Sequence, residues 1–101
     1  MDRRMLKQLE DMQKKMVKAQ ADLANETVTA SAGGGAVTVE MNGHYEVKSV
    51  KIDPEAVDPA DVETLEDMVL TAFQQAHEKA QEMAEQKMGA ITGGLNMPGL
   101  F

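Results

Sequence analysis

The sequence predicts an α+β fold in which one protomer runs α-β-β-β-α, a three-stranded antiparallel sheet flanked by two long helices. Three observations predict it. Apolar residues recur at alternating steps of four and three from Met5 to Leu23, the spacing of one helical face. Between Thr27 and Ile52 the period drops to two, with glycine clusters as punctuation. Helical spacing then returns after two Asp-Pro steps and continues almost to the C-terminus.

Met5, Leu9, Met12, Met16, Ala19 and Leu23 define the stripe of the first helix, expected from about Arg3 to Asn25 with no Gly or Pro inside it. Thr27-Val28-Thr29-Ala30-Ser31 reads as a short β-branched strand, and Gly33-Gly34-Gly35 as the turn after it. Val37, Val39 and Met41 alternate with polar residues in a second strand; Tyr45 to Ile52 forms a third, with Asn42-Gly43 as the hairpin signal. A two-residue loop at Asn42-Gly43 would mix apolar and polar faces. A three-residue loop, Met41-Asn42-Gly43 with Gly43 left-handed, pairs Val39 with Tyr45 and Val37 with Val47, and is the expected register. After Ser49 the apolar parity flips to Val50 and Ile52, so a bulge or two-sided burial is expected there. Asp53-Pro54 starts a short turn, and Asp58-Pro59 starts a helix expected to run from about Pro59 to Met88 and to stop at Gly89. Its stripe is Val62, Leu65, Val69, Ala72, Phe73, Ala76, Ala80 and Met83. Residues 1–92 form one domain, and residues 93–101, without periodicity, are expected to be a flexible tail.

Helix lengths point to an assembly. At ~1.5 Å per residue the two helices reach roughly 34 and 45 Å, whereas strands of about five to eight residues reach only ~17–26 Å. The sheet cannot cover both helices, and a three-stranded sheet leaves unpaired edges. A symmetric dimer answers both problems.

Composition narrows the function. With no cysteine there is neither a disulfide framework nor a thiolate metal site. The N-terminal residues lack the apolar core of a signal peptide and no apolar run spans a bilayer, so a soluble, cytoplasmic protein without a membrane role is expected. The formal net charge of −7 is unevenly spread. Residues 1–25 carry six basic side chains against four acidic ones, and residues 26–101 four against thirteen. The first helix is therefore the one segment suited to a polyanion.

Other candidate sites are weak. His44 and His77 lack ligand partners at helical spacing and read as solvent-exposed. The glycine triplet joins two strands and opens no helix, so it is a turn and not a phosphate loop. The run Asp58, Asp61, Glu63, Glu66 and Asp67 lacks the glycine turn and alternating ligands of a calcium loop; capping and a solvated face explain it. No catalytic residue, cofactor, metal or small-molecule substrate is expected, and the chain is not read as an enzyme. Arg3, Arg4, Lys7, Lys14, Lys15 and Lys18 fall within a helical arc of roughly 120° opposite the Met/Leu stripe, with Asp11 and Asp22 in the same arc. Such a stripe suits phosphates, because each one neutralised releases counterions. An adaptor that captures another helix on its Met-rich stripes is the alternative.

Several segments together resemble the YbaB/EbfC family of bacterial nucleoid-associated proteins, from about Met5 to the C-terminus. They are the Met- and Lys-rich first helix, the hairpin at Asn42-Gly43, and Val50-Lys51-Ile52-Asp53-Pro54 closing the sheet. Leu65-Glu66-Asp67-Met68-Val69 with Ala72-Phe73 and the Gly/Met/Pro tail complete the order. The resemblance implies a tight homodimer joined through its sheets, with helices projecting as tweezer-like arms. It also implies double-stranded DNA binding in the nucleoid, with effects on chromosome organisation and gene expression. Binding attributed to helical arms matches the basic stripe of the first helix. On the second arm only Lys79 and Lys87 are basic, and they complete the set of DNA-binding candidates.

Overall fold

The computed structural model describes residues 2–92. The order is α1 (Arg3–Leu23), β1 (Thr27–Ala32), β2 (Val37–Asn42), β3 (Val47–Ile52), a 3₁₀ turn (Pro54–Ala56) and α2 (Val62–Thr92). The α-β-β-β-α reading of the sequence is the architecture observed. The sheet is antiparallel with spatial order β1-β2-β3, so β1 and β3 are both edges. The expected tail, residues 93–101, lies outside the described residues. Among the described residues no helix is long and apolar enough to cross a membrane.

β2 is the centre of the core because its inward residues, Val37, Val39 and Met41, are buried between both neighbouring strands and α2. Ala72, Ala76 and Ala80 present only methyl groups to the sheet, which lets α2 lie close over β1 and β2. The Gly33-Gly34-Gly35 turn takes positive φ throughout (67°, 67° and 98°), a conformation that glycine adopts at least cost. Gly33 also lies so near Met68 of α2 that a Cβ there would collide with its sulfur. The outer face is polar, with Ser31 and Thr38 hydroxyls hydrogen-bonded across the strands at 2.9 Å.

The β2–β3 register differs from the expected one. Val39 pairs with Val50, Val37 with Ile52 and Met41 with Val47. The bulge lies opposite Glu40 and Met41, where Lys48 is the extra residue, so Val47, Val50 and Ile52 all reach the α2-facing side. This accounts for the parity flip. The three-residue loop gives way to a longer turn: Asn42 closes it by accepting from Tyr45 and donating to the Glu46 carbonyl. Tyr45, not Gly43, holds the left-handed conformation, with φ 64°.

Both ends of α2 move relative to the sequence reading. Asp58 organises a separate turn, accepting from the Ala60 N–H through its side chain and from Asp61 through its carbonyl. Asp61 then caps the helix, accepting from the Thr64 N–H and hydroxyl. At the other end α2 runs through Gly89 to Thr92. An exposed helical glycine costs only about 1 kcal/mol against alanine, too little to stop the helix, and Ile91 beyond it lines a groove with Lys15, Lys18 and Ala19 of α1.

Two apolar surfaces remain open. α2 covers β1 and β2 but not β3, where Val47, Val50 and Ile52 stay 45%, 43% and 40% exposed. On α1, Ala19 and Leu23 are buried, but Met5, Leu9 and Met16 are exposed. The helices pair beyond the sheet and run antiparallel: Glu26 meets Lys87 and Gln20 meets Met88. The N-terminal half of α1 projects past this pairing, within an overall envelope of 69 × 25 × 15 Å.

Candidate nucleic-acid interface

The structure places the six cations of α1 on one solvent-facing side of a projecting helix. Arg3, Arg4, Lys7, Lys14, Lys15 and Lys18 are all exposed. Of these, Lys18 alone forms an ion pair among the described residues, a 2.9 Å contact with Asp22 one turn on. The hydrogen bond and charge of Asp22 raise the Lys18 pKa, and the same hydrogen bond lowers that of Asp22. An exposed i,i+4 pair of this kind is weak and screened by solvent, so it yields readily to a stronger anion.

The order of charges along α1 runs against the helix's own stability. Its first turn holds Arg3 and Arg4 and no acidic residue; its last turn holds Asp22 and no basic one. The positive end of a helix dipole favours acids, and misplaced charges cost about 0.3–1 kcal/mol each. Only the Asp2 side chain, accepting from the Met5 N–H at 2.8 Å, offsets this at the N-terminus. The arrangement suits a ligand that supplies the missing negative charge.

Lys79 and Lys87 sit differently. Lys79 donates to the Thr29 carbonyl at 2.8 Å, satisfying one acceptor on β1. Lys87 forms a 2.6 Å ion pair with Glu26 and is largely covered. Lys87 does share a groove with Lys15, Lys18 and Ala19 between the two helices, whereas Lys79 lies apart over the sheet. Both second-arm candidates are thus engaged with their own chain. Among the described residues no cluster of three or more His, Asp or Glu side chains is placed to hold a metal ion.

The sequence reading missed two features. Leu6 and Val17, on the flank of the basic arc, are 47% and 65% exposed; their helical angles could have shown it. The second is the 42–46 turn at the base of α1. His44 is exposed as expected, yet its Nε2 lies 2.6 Å from the Gln20 carbonyl. Tyr45 stacks on His77 with ring centroids 4.7 Å apart. A buried asparagine leaves no periodic signal, so only the structure reveals this cluster.

An exposed cationic helix on a small α+β body defines a class of polyanion-binding proteins, and the sequence comparisons give that class its family. Residues 1–95 match the YbaB/EbfC DNA-binding family. The chain belongs to that family. It is 52% identical over 98 residues to a nucleoid-associated protein of Pelotomaculum thermopropionicum, covering 97% of this chain and 93% of that one. A nucleoid-associated protein of a Roseiflexus species is 52% identical over 100 residues, covering 98% and 99% of the two chains. The fold matches a crystal structure of an uncharacterized protein from Helicobacter pylori with a TM-score of 0.70 and 25% identity. That match covers 85% of this chain and 91% of the other.

Proposed function

We propose that this nucleoid-associated protein is a homodimer that grips duplex DNA between projecting α1 arms, contributing to chromosome organisation and gene regulation in the cytoplasmic nucleoid. The observation that carries the reading is the exposed cationic face of α1, whose charge order disfavours the free helix and suits a bound polyanion. Arg3, Arg4, Lys7, Lys14, Lys15 and Lys18 act as phosphate-positioning charges without base readout. Lys79 and Lys87 join them only if they exchange Thr29 and Glu26 for phosphate. Any sequence preference then comes from DNA shape and arm spacing.

The dimer is supported by what one protomer leaves uncovered. Among the described residues nine apolar ones are buried, and five of them are alanines. That is a thin core for a chain of this length. The strip of Val47, Val50 and Ile52 lies beside the unpaired edge of β3, where a second sheet would cover both.

Fluorescence anisotropy of a labelled duplex over a salt series tests the proposal. Affinity should fall steeply with salt, and replacing Lys14 and Lys18 with Glu should lower it roughly ten-fold or more on every sequence and flatten the salt slope. Loss confined to one sequence would establish base readout instead. Absence of binding at low salt would leave the exposed Met5, Leu9 and Met16 as the functional surface, and the helix-capturing adaptor would replace the DNA-binding dimer.

A further inference from the structure

A projecting arm is useful only if something fixes its direction. The carbonyls of a helix's last turn lack partners within the helix; in α1 those of Ala21 and Asp22 accept from the N–H groups of residues 24–26, and the 42–46 turn meets those of Gln20, Leu23 and the capping Ala24. The Gly43 N–H donates to the Leu23 carbonyl at 2.9 Å, and Asn42 Nδ2 donates to the Ala24 carbonyl at 3.0 Å. His44 Nε2 lies 2.6 Å from the Gln20 carbonyl. A carbonyl only accepts, so this nitrogen carries the hydrogen. Gly43 meets Leu23 so closely that a Cβ would lie 2.5 Å from Leu23 Cδ2 and 3.0 Å from its carbonyl oxygen.

The turn is itself held rigidly. Asn42 is fully buried and its amide makes four hydrogen bonds, to the N–H groups of His44 and Glu46, the Ala24 carbonyl and Glu46 Oε1. On the far side the Tyr45 ring stacks on His77 of α2. Elsewhere α1 meets the end of α2 through the buried Ala19 and the Gln20–Met88 contact, with the Lys87–Glu26 ion pair just past the helix.

We propose that the 42–46 turn is the joint that aims α1, and that Gly43 and His44 are positioning residues for nucleic-acid binding although they carry none of its charge. This rests on α1 being the binding arm. Arg3 and Leu23 are ~30 Å apart along the helix. A tilt of about 10° at the joint therefore moves the tip by about 5 Å, more than the ~3.4 Å axial step between phosphates of one strand. A small change at the turn takes the outer cations out of register with the phosphates.

The full chain has no cysteine, so paired labels are unambiguous. Spin labels at Gln8→Cys and Gln74→Cys, diluted into unlabelled chains, report the arm-to-body distance by pulsed electron resonance. Gly43→Ala should shift that distance by several ångströms and His44→Ala should broaden it. His44→Gln, which returns a donor to the Gln20 carbonyl, should restore it. On unlabelled protein, Gly43→Ala should lower duplex affinity roughly ten-fold, the loss of about two phosphate contacts, and His44→Ala less. His44→Gln should recover affinity. A merely structural role would not give rescue in both readouts. His44 is exposed, so its variants decide the matter even if Gly43→Ala does not fold. Unchanged distances overturn the joint; changed distances with unchanged affinity overturn the positioning role. If the wild-type chain binds no duplex, the arm reading and the positioning role both fail, while the distances still decide the joint.

Discussion

Asn42 shows how one side chain can replace a turn's usual chemistry. Its Oδ1 accepts from the His44 and Glu46 N–H groups, doing for the backbone what a left-handed glycine does elsewhere. Gly43 is thereby released for a different task, close approach to Leu23. The sequence marks the Asn-Gly pair as a turn, which is correct, but assigns glycine the wrong reason. Propensity reports which residues tolerate positive φ, not which one the surrounding hydrogen bonds require, and Tyr45 is the residue that takes it. The same network depresses the pKa of Glu46, chiefly through its hydrogen bond from Asn42 and then through the charge of Lys48. Because its folded pKa lies below the ordinary 4.5, Glu46 contributes stability that is present above that value and lost as pH falls through the folded one. Gln at this position keeps an acceptor for Asn42 and loses the charge. Glu46→Gln should therefore flatten the acid limb of a stability-versus-pH curve, measured by urea denaturation between about pH 6 and pH 3. A limb as steep as the wild type's would remove Glu46 from this account.

At the scale of elements, periodicity carries most of the information. The stripe of α2 was legible because Leu65, Ala72, Ala76 and Ala80 face the sheet at helical spacing. What spacing cannot show is depth. The three alanines are fully buried because the helix lies close enough for nothing larger. Ala76→Leu should force α2 away from β2 and cost about 1–3 kcal/mol. This would be seen as a lower urea midpoint with an unchanged denaturant slope; an unchanged midpoint would mean the layer has slack. Element ends were less legible, for local reasons. Asp58 and Asp61 are both plausible caps, and the hydrogen bonds to Thr64 choose the second. Gly89 reads as a stop, yet a single glycine costs the helix little and it continues to Thr92. The basic arc of α1 was readable from helical angles alone. That Lys79 and Lys87 bind Thr29 and Glu26 depends on which elements pack together, and no linear pattern shows it.

For the molecule as a whole, the uncovered strip on β3 and the projecting arm belong to one design. In the proposed dimer, a polar or charged residue in the strip should separate the copies. Val50→Asp should give a protomer mass by light scattering where the wild type gives twice that mass, and duplex affinity should fall because one arm replaces two linked ones. A dimer that survives Val50→Asp would place the interface elsewhere. The envelope of 69 × 25 × 15 Å bears directly on how such assemblies are weighed. The radius of gyration of a single chain is 19.2 Å, whereas a compact domain of this length has about 13 Å, and a compact body of 19 Å holds roughly 300 residues. A lone protomer therefore has the radius of gyration of a globule about three times its mass, and meets more drag in solution than a globule of its own mass. Retention volume would report an oligomer where only a rod is present, and sedimentation would show the opposite error. The projecting arm is thus also what makes hydrodynamic size a poor proxy for copy number in this protein.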